Sequence, residues 1–294
     1  MEEKNALICG NGPSLREIEY EKLPKNYDVF RCNQFYFEDK YYAGKNIQYA
    51  FFNPYVFFEQ YYTIKNIIDK DEYDIKNIVC SSFGLESIDS RNLLEFFYNY
   101  FPDTIFGFDL IKQLKEFHSF IKFNEIYNEQ RITSGIYMCA FAVAMGYKNI
   151  YISGIDFYSN KNQPYLFKYQ TNNVLKLIPE FKNEIKATIH SKNFDLKALE
   201  FLSKTYNVNF YSLNQNSELS KYIKLASIIR GNNDFVIDNK PKDYIDDILL
   251  PANNTYKKFK KFPLPVIKNN LWFRLIKDLV RLPSDIKHYL KDKR

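Results

Sequence analysis

Residues that build metal centres and disulfide scaffolds are scarce in this chain. Its 294 residues include 3 His and 4 Cys. The histidines, His118, His190 and His288, are far apart in sequence. The cysteines, Cys9, Cys32, Cys80 and Cys139, contain no Cys-x-x-Cys clamp. Three of them fall in apolar strand-like runs and Cys139 in an apolar helix-like run, so they read as buried free thiols of a reducing compartment. No apolar stretch approaches the ~18 residues of a membrane span. Met1-Glu2-Glu3-Lys4 is acidic at its start, and the apolar run behind it is too short for a signal peptide. Glycine is also sparse, at 9 residues. In Gly10-Asn11-Gly12-Pro13-Ser14 the third glycine of a dinucleotide fingerprint is missing, because Leu15 stands in its place. Asn33, not an acid, ends the second strand-like run. Both departures argue against NAD.

What remains is an ordinary soluble composition, 46% hydrophobic and 26% charged, in a chain long enough for one large domain or two modest ones. Aromatics reach 18%. Lys, Asn, Ile, Tyr and Phe are abundant together, as in an AT-rich genome, so scattered rings carry little functional weight. Strand-like runs at 6–9, 29–32, 49–52, 77–81, 149–153 and 208–212 alternate with helix-like stretches. The helical stretches are 14–21, 55–68, 92–100, 109–125, 134–145 and 196–206. That alternation predicts βαβ units and an α/β fold around a parallel sheet. Residues 157–190 break the rhythm with polar residues, Pro164, Pro179 and several aromatics. An irregular insertion of that length, leaving the sheet at a strand end, reads as a lid.

Charge is uneven. Residues 257–294 hold twelve Lys/Arg against three Asp/Glu, although the whole chain is only +6. The rest is therefore slightly acidic, which argues against a nucleic-acid-binding body. In the tail, Arg274, Lys277, Asp278 and Arg281 recur at helical spacing, with Leu271, Trp272, Leu275, Leu279 and Leu282 opposite. A basic face beside an aromatic apolar face suits a helix lying on a membrane surface. An oligomer contact or packing on the core would use the same pattern.

Three strand-like runs end in asparagine or open onto it: Asn11 in the glycine turn, then Asn33-Gln34, then Asn53-Pro54. In a parallel α/β sheet, strand ends converge on one crevice. Neutral amides there hydrogen-bond sugar hydroxyls and carboxylates without adding negative charge, which suits an anionic nucleotide-sugar. A plain β-turn would also use Gly10-Asn11-Gly12. Thr133 or Ser134 would cap the helix that follows Arg131-Ile132-Thr133-Ser134-Gly135, and the same helix end binds anions. One Asp-x-Asp match, Asp69-Lys70-Asp71, sits in a charged stretch and reads as a solvated turn, so no metal is expected. Asp156, Tyr158 and Tyr165 lie where the fifth strand enters the lid, and both phenols are candidate donors to a departing phosphate. His190 closes the lid, with an ordinary pKa suited to a general base.

Taken together, CGNGPSL, YDVFRCNQFYFEDKYY, FFNPYVFFEQYY, QRITSGIYMCA, SGIDFY, HSKNFDLKALEFL and LIKDLVRLPSDIKHYL resemble the bacterial lipooligosaccharide sialyltransferases, glycosyltransferase family 42, over nearly the whole chain. The resemblance implies a Rossmann-like, GT-A-type fold. Residues 1–156 and 191–256 would form the nucleotide-sugar domain, 157–190 a lid and 257–294 a membrane-associating tail. It implies inverting transfer of sialic acid from CMP-sialic acid to a galactose or sialic acid of a cell-surface glycolipid, without a metal or other cofactor. It gives His190 as base, Tyr158 and Tyr165 as the pair on the CMP phosphate, and Arg131 as an active-site arginine. Asn11, Ser14, Asn33, Gln34, Asn53, Thr133, Ser134, Gly135 and Asp156 match donor-site positions, with Gln60 and Phe181 as weaker matches. The resemblance also implies a homotetramer placed on the cytoplasmic side of the inner membrane. A different nucleotide-sugar glycosyltransferase, or a non-enzymatic nucleotide-binding module docked on a membrane, is the competing reading.

Overall fold

A computed structural model describes residues 3–82, 97–158, 163–167, 190–229, 235–241 and 270–292. Eight strands form one sheet: β1 (Asn5–Cys9), β2 (Asp28–Cys32), β4 (Tyr49–Phe52), β6 (Ile78–Cys80), β7 (Thr104–Phe106), β8 (Asn149–Ser153), β9 (Asn209–Ser212) and β10 (Lys224–Leu225). A two-stranded pair, β3 (Asn46–Ile47) with β5 (Asp74–Ile75), lies outside it. The sheet order is β10-β9-β8-β1-β2-β4-β6-β7, and every pairing in it is parallel. The fold is therefore α/β and Rossmann-like, as the alternation predicted.

The apolar runs are continuous because both sheet faces are covered. In β1, Leu7 and Cys9 enter one core while Ala6 and Ile8 enter the other. All four cysteines are buried free thiols. The helices are α1 (Phe57–Asp69), α2 (Phe108–Ile111), α3 (Lys115–Asn128), α4 (Ser134–Ala144), α5 (Lys192–Tyr206) and α6 (Leu271–Asp292). Helix α4 is almost wholly buried, which explains its small and apolar composition.

Three expectations change. The stretch 14–21 forms a short 3-10 helix at Pro13–Glu17 and not an α-helix. The single helix expected over 109–125 is two, α2 and α3, parted at Lys112–Leu114. The tail's basic end joins its amphipathic segment in one helix that runs through Pro283. Of the helix expected at 92–100, residues 97–100 are described and helical, the rest lying outside the described residues, as does most of the expected lid.

The order of the strands positions the site. From β1 the chain builds outward through β2, β4, β6 and β7, then returns to the other side of β1 as β8. The carboxyl ends of β1 and β8 flank that reversal, where α/β sheets bind ligands.

Candidate active site

At the switch point the chain needs glycine for proximity. A Cβ on Gly10 would stand 2.2 Å from the Gly154 carbonyl oxygen, and Gly154 itself has φ +68°. The Gly10 N–H donates to the Ser153 carbonyl at 2.9 Å, and the Gly12 N–H to that of Gly154 at 2.8 Å. A Cβ on Gly12 would meet an Asp156 carboxylate oxygen at 2.3 Å. That oxygen, Oδ2, accepts the Ser14 N–H at 2.9 Å. Asp156 thus fixes the turn after β1 from the strand beside it.

Above this turn opens a cavity of about 250 Å³. It gathers Asn11, Asn33, Gln34, Asn53, Gln60, Thr133, Ser134, Gly135, Asp156, Tyr158, Tyr165 and His190. Asn11 Nδ2 donates to the Cys32 carbonyl at 2.9 Å. Asn33 sits at φ 53°, a left-handed conformation that asparagine tolerates better than most residues. Its Nδ2 donates to Ser134 Oγ at 3.1 Å. Gln60 is 1% exposed, and its Oε1 has no hydrogen-bond donor, so a buried amide oxygen is open to a ligand.

Two predicted residues stand apart. Ser14 and Arg131 do not line the cavity. Ser14 lies beneath it, with a buried Oγ that has no partner. The Arg131 guanidinium pairs with Glu125, while the Arg131 carbonyl reaches His190. Phe181 lies outside the described residues. Asp69 and Asp71 are exposed and away from the cavity. Among the described residues no cluster of three or more His, Cys, Asp or Glu is placed to hold a metal.

His190 Nδ1 lies 2.9 Å from the Arg131 carbonyl oxygen. A carbonyl only accepts, so Nδ1 carries the proton and Nε2 keeps its lone pair. Burial lowers the His190 pKa, the bond to the Arg131 carbonyl opposes that, and the Arg131 charge lowers it again. The imidazole is thus neutral and basic at neutral pH.

The Tyr158 and Tyr165 rings meet edge to face at 5.9 Å, and Tyr165 stacks on Phe167 at 5.4 Å. Tyr158 exposes 46% of its surface, yet its hydroxyl end lies at the crowded Tyr165 side. That neighbour, then desolvation, holds its phenol well above the ordinary range. It is therefore a hydrogen-bond donor at any physiological pH. Phe157 and Tyr158 are consecutive left-handed residues, at φ 51° and 53°, which is a strained arrangement for bulky side chains.

One site residue escaped the sequence reading. Asp195 lines the cavity from the first turn of α5 and is fully buried. Burial pushes its carboxyl up to about 7, against two hydrogen bonds from Thr133 that pull it down. The signal was present: Asp195, Ala198, Leu199 and Leu202 share one helix face, so an acid stands in an apolar stripe.

The crevice at the switch point thus offers neutral amides, an unprotonated imidazole nitrogen and two phenolic hydroxyls to a ligand. Residues 4–293 match the family model for alpha-2,3-sialyltransferase (CST-I). The chain is 45% identical to the monofunctional alpha-2,3-sialyltransferase Cst-I from Campylobacter jejuni, with 97% of this chain and 96% of that one covered and a TM-score of 0.79. It is 52% identical to the sialyltransferase CstII from the same organism in complex with CMP-3FNeuAc, a substrate analogue, over 88% and 98% of the two chains, TM-score 0.78. Against CstII with a trisaccharide acceptor and CMP, identity is 51%, coverage 87% and 98%, and TM-score 0.76. The chain belongs to the CST-I alpha-2,3-sialyltransferase family. It is a glycosyltransferase of the sialyltransferase class, with the parallel-sheet fold of these enzymes.

Proposed function

We propose that the enzyme moves sialic acid from CMP-sialic acid to a terminal galactose (α2,3), a terminal sialic acid (α2,8), or both, on lipooligosaccharide, by inverting displacement without a metal. The observation that carries this reading is the pairing of His190 with the Tyr158–Tyr165 couple across one crevice. His190 Nε2 takes the proton of the acceptor hydroxyl as its oxygen bonds to the anomeric carbon. The bond from that carbon to the phosphate oxygen breaks, and its electrons pass to CMP. Phenolic O–H groups of Tyr158 and Tyr165 stabilise the charge that develops there, the task a cation performs in metal-dependent glycosyltransferases. Complexes of CstII with CMP-3FNeuAc and with a trisaccharide acceptor plus CMP support the donor and acceptor classes. Residues 157–190 act as the lid that excludes water from the donor.

The tail completes the proposal. No described helix is long and apolar enough to cross a membrane. Helix α6 exposes Trp272, at 73%, with Leu275, Ile276 and Leu279 among its basic residues. It holds the enzyme on the cytoplasmic side of the inner membrane, near a lipid-linked acceptor, and the assembly is a homotetramer.

The test is incubation with CMP-sialic acid and a labelled lactoside, followed by linkage analysis of the product. Transfer proceeds at full rate in excess chelator, whereas Tyr158→Phe combined with Tyr165→Phe lowers kcat about 10²-fold or more. A chelator-sensitive rate restored by added metal refutes the tyrosine role.

A further inference from the structure

Tyr165 is joined to the turn after β1 through the residue that follows it. The Leu166 N–H donates to the Asn11 carbonyl at 2.8 Å. The Leu166 carbonyl accepts from the Arg16 guanidinium at 3.0 Å. Those two groups belong to successive peptide planes, Tyr165–Leu166 and Leu166–Phe167. Each plane is rigid, so holding both fixes the backbone at Leu166 and sets the Cα of Tyr165. Leu166 is buried. Phe167 then lies flat on the Tyr165 ring, with an interplanar angle of 1°, and packs on Phe37 at 5.6 Å. The Tyr165 hydroxyl meets that of Tyr158 in a side-chain hydrogen bond.

Arg16 is not part of the cavity wall. It rises from the 3-10 helix Pro13–Glu17, and 45% of its side chain is exposed. The Asp39 carboxylate stands off from it at 4.0 Å, and the Tyr42 hydroxyl also bonds it. The guanidinium therefore lies closer to the neutral Leu166 carbonyl than to the nearby acid. A hydrogen bond from a charged donor is of the stronger kind. Arg16 thus reaches from the strand-end turn to the segment that bears a reactive phenol, without touching the space a substrate would fill.

We propose that Arg16 is a positioning residue that acts through the Leu166 carbonyl to hold the Tyr165 phenol in register with the turn after β1. The inference rests on the reading of Tyr158 and Tyr165 given above, as donors to the departing phosphate. The phenolic oxygen stands at the far end of its side chain, so a small turn of the Leu166 peptide displaces it. A misplacement of ~1 Å at a reacting group costs up to about 10²-fold in rate.

Steady-state kinetics with CMP-sialic acid and a lactoside, beside calorimetric titration with CMP, test this on the full chain. Arg16→Met keeps the apolar stem and removes the donors. Its kcat falls about tenfold, while its CMP Kd stays within about twofold of wild type. Arg16→Lys, which still offers a charged donor, recovers part of the rate. In a Tyr165→Phe background, itself slowed, Arg16→Met lowers kcat little further, because the hydroxyl it positions is gone. A merely structural arginine predicts the same fractional loss in both backgrounds. The proposal is overturned by an unchanged kcat in Arg16→Met, by equal fractional losses in the two backgrounds, or by an Arg16→Lys rate no better than that of Arg16→Met. A loss of CMP affinity as large as the loss of kcat also overturns it, since Arg16 would then hold the turn and not the phenol. An unchanged kcat in Tyr165→Phe overturns the phosphate role of that phenol, and the proposal with it. A slowed Tyr165→Phe beside a normal Arg16→Met overturns the proposal alone.

Discussion

The strand-end side of the crevice and the side formed by residues 157–158, 163–167 and 190 differ in how their backbones are held. On the strand-end side, amides are locked into the sheet: Asn11 bonds the Cys32 carbonyl, Asn33 N–H bonds the Phe51 carbonyl at 2.7 Å, and Asp156 grips the Ser14 N–H. On the other side, Phe157 and Tyr158 both carry positive φ, at a cost of about 1–3 kcal/mol each. Tyr165 is placed by ring stacking. The Leu166 N–H reaches the Asn11 carbonyl at 2.8 Å, which ties the reactive side to the strand ends. Binding groups sit on a rigid floor, and strain collects where chemistry is proposed. Replacing a reactive-side group is therefore expected to change turnover, and replacing a floor group to change affinity.

His190→Ala gives the largest expected effect. Loss of a positioned base lowers transfer roughly 10²–10⁴-fold, while CMP titration stays near wild type because the imidazole is tied to the Arg131 carbonyl and not to the amides of the floor. Near-normal transfer removes His190 as the base. A large parallel loss of CMP binding breaks the division between floor and reactive side.

Asn33→Asp comes next and acts on the floor. Aspartate keeps the size of the side chain and tolerates the left-handed backbone, so the fold persists. It adds a negative charge beside a site proposed for an anion and forfeits the Nδ2 donation to Ser134. We expect KM for the donor to rise on the order of tenfold or more with kcat changed much less. Steady-state kinetics at saturating acceptor separate the two constants, and a kcat-only defect contradicts the assignment.

The sequence revealed these two sides unequally. Strands of four or five apolar residues, such as Ala6–Cys9 and Tyr49–Phe52, announce themselves, and Gly10-Asn11 after the first and Asn53 after the second mark the strand ends. β3, β5, β7 and β10 span two or three residues, too short for any period to register. The break between α2 and α3 lacks glycine or proline, so the run 109–125 reads as one helix. Asn11, Asn33 and Asn53 were legible because topology alone brings parallel strand ends together. Asp195 resembled an ordinary first-turn acid that favours the helix dipole. Its burial depends on α4 packing beside α5, a tertiary fact. The left-handed pair Phe157–Tyr158 follows no residue preference, so no local signal announced it.

The smallest expected effect lies in the pH profile and probes how the reactive side is tuned. His190 works as a base only when neutral, so kcat/KM rises with pH through its pKa. Burial sets that pKa below the ordinary 6.5, which places the acid limb below pH 6.5 and a plateau at neutrality. Removing the Arg131 charge while keeping its carbonyl, as in Arg131→Gln, leaves the Nδ1 bond in place and takes away one influence that lowers the pKa. It also leaves Glu125, its ion-pair partner, as a nearby negative charge that favours imidazolium. Both changes act in the same direction, so the acid limb moves to higher pH, with the plateau rate preserved. An unmoved limb means that the Arg131 side chain does not tune the base. A limb moved to lower pH means that desolvation at His190 depends on the guanidinium covering it, and the reactive side would then be held as firmly by Arg131 as the floor is by Asp156.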